Sequence, residues 1–212
     1  MPRLMQQLLL DLLPAPTPTF ANFVVGRNAE VLAALQGWLA DPAGPTCFLL
    51  WGERHCGRRH LLGAAEAALP EIFCMPDVDT LGADQQIALF NTFNSRKLAG
   101  GKLLVGSLQP PASLELREDL RTRLGSGLVY RLHGLSDEEK RAALIDRAAG
   151  RGLKLPAEVL DYIFRHVRRD MGTLVALIDA LDRFTLQHKR ALTLPVVREL
   201  LQNAVERSPE PS

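Results

Sequence analysis

The chain has 212 residues, 47% of them hydrophobic and 23% charged, with a formal net charge of +1. A chain of this size buries a real apolar core as one generous domain, or as a core domain with a small appendage. The near-neutral balance gives no broad attraction to nucleic acid or anionic lipid, so direct DNA binding is not the expected activity.

The opening stretch, MPRLMQQLLLDLLPAP, has one arginine and an apolar run. Gln and Asp interrupt the run and no small-residue cleavage site follows, so neither a secretory signal nor a bilayer-spanning segment is predicted. Cys47, Cys56 and Cys74 lie in or beside apolar runs and read as buried free thiols of a cytoplasmic protein. Residues 13–19, LPAPTPT, hold three prolines that block helix and favour extended backbone, setting a short N-terminal segment apart from the body.

From Asn28, a plausible N-cap, the residues Val31, Leu32, Leu35, Trp38 and Leu39 recur at helical spacing until Asp41-Pro42. Thr46–Trp51 is a continuous apolar run bounded by turn residues, as expected of a strand buried on both faces of a parallel sheet. Two more such runs follow, Ile72–Met75 and Lys102–Val105, and a more alternating one lies at Leu128–Leu132. Helical patterns at 58–69, 83–98 and, more briefly, 113–122 separate them. Strand alternating with helix predicts an α/β domain with a mainly parallel sheet.

After Leu135 the pattern turns wholly helical. Ser136-Asp137-Glu138-Glu139 is a capping box that opens a helix running to Gly150. Pro156 begins the next helix, Asp170 can cap the one carrying Leu174, Leu177, Ile178 and Leu181, and Pro195 begins the last.

The first strand runs into Gly52-Glu53-Arg54-His55-Cys56-Gly57-Arg58-Arg59, with two glycines at phosphate-loop separation between a strand and a helix. In a working loop a Lys neutralises the outer phosphates and a Ser or Thr hydroxyl holds magnesium. Here those positions are Arg58 and Arg59. Arg58 can still touch phosphate, but Arg59 offers magnesium no oxygen and repels it. The next strand ends in Met75-Pro76-Asp77, with proline where a metal-binding Asp would sit; Asp77 is either a remnant acid or a turn aspartate. No His/Cys set completes a metal shell, and no Ser/His/Asp arrangement is present.

These segments together resemble the DnaA-related AAA+ family, and within it the regulatory branch that inactivates the bacterial replication initiator. The likeness rests on GRRHLL at 57–62, Leu103–Pro111 ending in Pro110-Pro111, LRTRLGSG at 120–127, LSDEEK at 135–140 and RDMGTL at 169–174. It implies an AAA+ core over 17–134 with a mainly parallel sheet, shortened by one edge strand, and a helical lid over 135–212, without the initiator's DNA-binding domain. The family's lid arginine falls at Gly172, so loop, acidic strand and lid each depart from a nucleotide contact. The resemblance therefore implies no cofactor, or weakly held ADP touching Gly52, Gly57, Arg58, Arg59 and Asp77, with no metal.

Arg123 matches the family's arginine finger, a side chain presented across an interface to a partner's ATP; on the residues alone it is a surface arginine with Glu118 or Asp119 as partner. Residues 1–16 form a tag and linker in which Gln7, Leu8, Leu10 and Leu12 are similar to a motif binding the DNA polymerase III sliding clamp; the same residues also suit a helical start that packs on the body. The implied protein is a non-enzymatic negative regulator of chromosomal replication initiation. With the clamp, it stimulates hydrolysis of ATP on the DnaA initiator through Arg123, with no sequence-specific DNA or membrane binding. A non-catalytic clamp and initiator adaptor is the alternative, and a slow ATPase a third reading.

Overall fold

The structure is a computed structural model that describes residues 16–206, with side chains to Leu201. Gln7, Leu8, Leu10 and Leu12 lie outside the described residues. The chain divides into one compact unit over Thr17–Leu135 and a helical unit from Ser136 onward.

Four strands form the sheet of the first unit: β1 Cys47–Trp51, β2 Phe73–Met75, β3 Leu103–Ser107 and β4 Leu128–Arg131. Their order is β2-β3-β1-β4, and every pairing is parallel, with Leu49 facing Val105 on one side and Val129 on the other. The central strands are apolar throughout because both of their faces are covered. On one face Phe48, Leu50 and Leu104 pack against Val31, Leu35 and Trp38 of α1 (Ala29–Ala40) and Leu61, Leu62 and Ala65 of α2 (Arg58–Ala68). On the other face Cys47, Leu49, Leu103 and Val105 meet Leu89 and Phe93 of α3 (Ala83–Ala99) and Leu120 and Leu124 of α4 (Glu118–Gly125).

The sheet is shortened as the sequence implies: the strand after α2 is β2, and it forms the edge. It is only three residues long, which limits the unpaired backbone it presents. Arg96 of α3 donates to the Glu71 carbonyl and ties down the approach to this strand.

Two local expectations are corrected. The helix expected at 113–122 is a 3-10 turn at Pro111–Ser113 followed by α4 at Glu118–Gly125. Burial of Leu114 and the bond from the Arg117 amide to Gln86 Oε1 hold the intervening residues extended. Asn28 precedes α1 without capping it. Its side chain instead donates to the His133 carbonyl at 2.9 Å and accepts from the His133 amide at 2.8 Å, so a tertiary bridge after β4 overrides the local cap.

The helical unit contains α5 Asp137–Ala149, α6 Ala157–His166, α7 Met171–His188 and α8 Leu194–Glu206. The capping box is present: Ser136 Oγ accepts the Glu139 amide at 3.2 Å and Glu139 Oε2 accepts the Ser136 amide at 2.7 Å. Asp170 Oδ1 accepts the Thr173 amide and starts α7. Leu144, Ile163, Leu177, Ile178, Leu181 and Val197 fill its core. Arg147 grips Asp179 through two bonds of 2.8 Å, joining α5 to α7. No described helix is long and apolar enough to cross a membrane.

Burial pushes the Cys47 thiol up to about 12, and burial followed by the nearby Glu66 carboxylate does the same for Cys74. Burial also raises Cys56. At pH 8 a thiol of pKa about 12 is on the order of 10⁻⁴ thiolate, so Cys47 and Cys74 are expected to resist alkylation in the native protein and to react once it is denatured. In the unfolded chain these thiols ionise near 9, whereas in the fold they keep their protons toward 12. The folded state therefore binds more protons across that window, and stability is expected to fall as pH rises above about 9. Urea midpoints at pH 7 and about 10.5 check the sign.

Candidate functional site

The loop between β1 and α2 begins at Gly52, which is buried and donates its amide to the Ser107 carbonyl at 3.1 Å. A side chain there would collide with the Leu132 carbonyl, so glycine is needed for close passage past the end of β4. Gly57 closes the loop with φ 102°, in the left-handed region that glycine adopts without strain. A Cβ on it would also lie 2.9 Å from the Phe23 ring. Between the two glycines Glu53, Arg54 and His55 are exposed, while Cys56 is buried in the turn.

The two arginines that open α2 converge on one acid beyond β2. Arg59 Nη2 donates to Asp77 Oδ2 at 2.5 Å, and Arg58 Nη2 lies 3.7 Å from Asp77 Oδ1. Their surroundings differ: the Arg58 side chain is 8% exposed, that of Arg59 80%, and that of Asp77 27%. Arg58 Nη1 is buried without a hydrogen-bond partner. The Asp77 carboxylate, by accepting the Arg59 hydrogen bond, raises the Arg59 pKa.

Magnesium-nucleotide does not suit this arrangement. A divalent ion needs hard oxygen ligands, and the residue after Arg58 supplies a guanidinium already spent on the nearest carboxylate. Asp79, two residues on, is engaged elsewhere, accepting the Leu108 amide at 2.8 Å beyond β3. Ser107, fully buried at the end of β3, donates its hydroxyl to the Gln109 carbonyl at 2.6 Å. Both are polar groups at the strand ends that sequence reading passed over, because only the sheet order brings the end of β3 beside the end of β2. Among the described residues no cluster of His, Cys, Asp and Glu could hold a metal. Gly172 lies exposed in the first turn of α7 and brings no cation there.

Arg123 belongs to the opposite layer. It sits in the last turn of α4, and its guanidinium carbon lies 6.0 Å from the Phe90 ring centre and 5.9 Å from that of Phe93, both on α3. Neither Glu118 nor Asp119 pairs with it. Asp119 is taken by Arg117, whose Nη2 approaches at 2.8 Å and Nε at 3.2 Å. Among the described residues no carboxylate forms an ion pair with Arg123, while its half-buried stem lies in an open groove of about 890 Å³ beside Phe90, Lys97, Thr122 and Ser126.

The aromatic seat orients the guanidinium without neutralising it, whereas a carboxylate would hold it in a competing pair. Phe90 and Phe93, three residues apart on a predicted helix, were legible as a pair, but nothing in the sequence aligned them with Arg123. Thus α2 with its loop packs on one side of the sheet, and the arginine is presented from the helices on the other.

Residues 137–201 match the family model described as "Hda, lid domain". The chain is similar to domain III of the Thermotoga maritima replication initiation protein DnaA, at 22% identity over 90% of this chain and 98% of that one, with a TM-score of 0.68. It is also similar to AMPPCP-bound DnaA from Aquifex aeolicus, at 18% identity over 82% and 68% of the two chains and a TM-score of 0.63. A third likeness is to Thermotoga maritima RuvB, at 15% identity over 93% and 73% and a TM-score of 0.60. At these identities the solved structures establish the shared fold.

Proposed function

We propose that this chain, a DnaA-related AAA+ protein resembling Hda, is a cytoplasmic negative regulator of replication initiation that supplies Arg123 in trans to ATP held by the DnaA initiator. It hydrolyses no ATP itself, and residues 7–12 tether it to the DNA polymerase III sliding clamp. The observation that carries this reading is the seat of Arg123: two aromatic rings, no carboxylate partner among the described residues, an open groove, and a layer opposite the chain's own loop helix. Such a side chain is prepared for an anion brought by another molecule.

The chemistry asked of it is electrostatic. As a phosphoryl group is transferred to water, charge spreads over its oxygens, and a rigid guanidinium donates to those oxygens at little reorganisation cost. Lys97 beside the groove adds positive potential, while Arg117 is neutralised by Asp119 and Glu118 lines the same wall. The test is the rate of hydrolysis of initiator-bound ATP with DNA-loaded clamp, adding wild-type protein or Arg123→Ala. Stimulation lost on substitution supports the proposal. Undiminished clamp and initiator binding with no stimulation by either protein supports a non-catalytic adaptor instead.

The tag has its own expected outcome. The double substitution Gln7→Ala, Leu10→Ala is expected to weaken clamp binding by at least about tenfold, the scale of losing one anchor residue of a short peptide motif. Surface plasmon resonance on immobilised clamp reads it. If residues 7–12 instead pack as a helix on the body, the double variant lowers the melting temperature and leaves clamp affinity unchanged.

A further inference from the structure

We infer that Arg59 stands in for the divalent cation of the phosphate loop: with Arg58 it holds Asp77, and so keeps the loop in its folded geometry without magnesium. The inference concerns the loop alone and stands whatever role Arg123 plays. A metal ion in such a loop normally joins the helix start to the acid at the end of the next strand in the chain, which here lies one strand away in the sheet. Here the Arg59 guanidinium makes that join, reaching from the first turn of α2 to Asp77 beyond β2 at 2.5 Å.

Three features argue that the join is built in rather than incidental. Arg58 is 8% exposed, and a buried guanidinium demands a counter-charge; Asp77, 3.7 Å away, is the one recorded for it among the described residues. Arg59, 80% exposed, has free solvent available and yet closes a hydrogen bond to Asp77, whereas Arg58 makes only an ion-pair approach. The acid is also held by its backbone: Thr80 bonds the Asp77 carbonyl through both its amide, at 3.2 Å, and its hydroxyl, at 2.9 Å. Two cations on one anion leave the site with a surplus positive charge. A divalent cation entering it would meet repulsion from both guanidinium groups and would have to displace Arg59 from Asp77.

The consequence is that the strand-to-helix junction needs no divalent cation to keep its geometry, so magnesium does not set the state of this loop.

Thermal melting of the full-length protein tests this. Curves in EDTA and in millimolar magnesium chloride are expected to superimpose within about 1 °C, because a cation that binds only the folded state would raise the melting temperature by several degrees at such excess. Asp77→Asn is expected to lower the melting temperature by roughly 5 °C or more by leaving Arg58 buried and unpaired. If that variant does not fold, Arg59→Ala, at an exposed side chain, keeps the question open. It is expected to lower the melting temperature by a degree or two at low salt and by less at molar salt, as a screened ion pair requires. A magnesium-dependent rise of more than about 2 °C in the wild type would overturn the inference, as would an Arg59→Ala variant melting with the wild type at low salt.

Discussion

Arg123→Ala is expected to remove the stimulation of initiator-bound ATP hydrolysis while leaving fold and binding almost untouched. Fingers of this kind contribute about 10³- to 10⁵-fold in rate, equivalent to about 4–7 kcal/mol of transition-state stabilisation. The structural loss is far smaller. Arg123 makes no ion pair among the described residues, its neighbour Leu124 carries the burial of α4, and what disappears is a pair of ring contacts near 6 Å. Such contacts at a half-exposed site are worth about 0.5–1 kcal/mol. The expected signature is therefore a collapse of the maximal rate at unchanged half-saturation. Arg123→Lys is expected to recover only part of the rate, since an ammonium lacks the planar fork that bridges two phosphoryl oxygens.

Gly106→Ala is expected to be strongly destabilising. Gly106 lies in β3, the strand that links β2 to β1, and a Cβ there would collide with the backbone carbonyl oxygen of Pro76. That obstacle is main chain, so it cannot rotate aside as a side-chain tip would. Relief requires Pro76 to move, and with it Asp77. Overpacking of this sort costs about 1–3 kcal/mol, and more when backbone must shift, so a melting temperature lower by roughly 10 °C is expected. The variant should also weaken the Arg58 and Arg59 hold on Asp77, making its loss partly non-additive with Asp77→Asn in a double-mutant cycle. Full additivity of the two would contradict the packing described here.

Much of the fold was legible because its signals are local. Cys47–Trp51 is apolar on both faces and became a central strand, while Leu128–Arg131 alternates and became the edge next to it. The caps at Ser136 and Asp170 act within three residues of themselves, and both formed. Expectations failed where a distant partner outbid a neighbour. Asn28 gave up a helix cap for His133, 105 residues on. The segment after Pro111 was expected to be helical, but the burial of Leu114 against the α3 layer held it out of helix until Glu118.

The same division runs through the candidate site. The spacing of Gly52 and Gly57, and the presence of Arg58 and Arg59 where a lysine and a hydroxyl are expected, could be read directly. Sequence alone left Asp77 open as a turn residue or a remnant acid. Its engagement by both arginines depends on the β2-β3-β1 order that sets the ends of two non-adjacent strands around α2. Likewise Arg123 was first assigned Glu118 or Asp119 by proximity in sequence, and only the packing of α4 on α3 shows that Arg117 takes Asp119 and that phenylalanines receive Arg123.

The most direct test of the central claim is the single-turnover hydrolysis of ATP on the initiator, measured at saturating protein with clamp-loaded DNA, for wild type, Arg123→Ala and an equimolar mixture. The wild type should accelerate hydrolysis, Arg123→Ala should not, and in the mixture the variant should compete for the initiator and reduce the wild-type rate. Equal acceleration by wild type and Arg123→Ala would contradict a finger acting in trans.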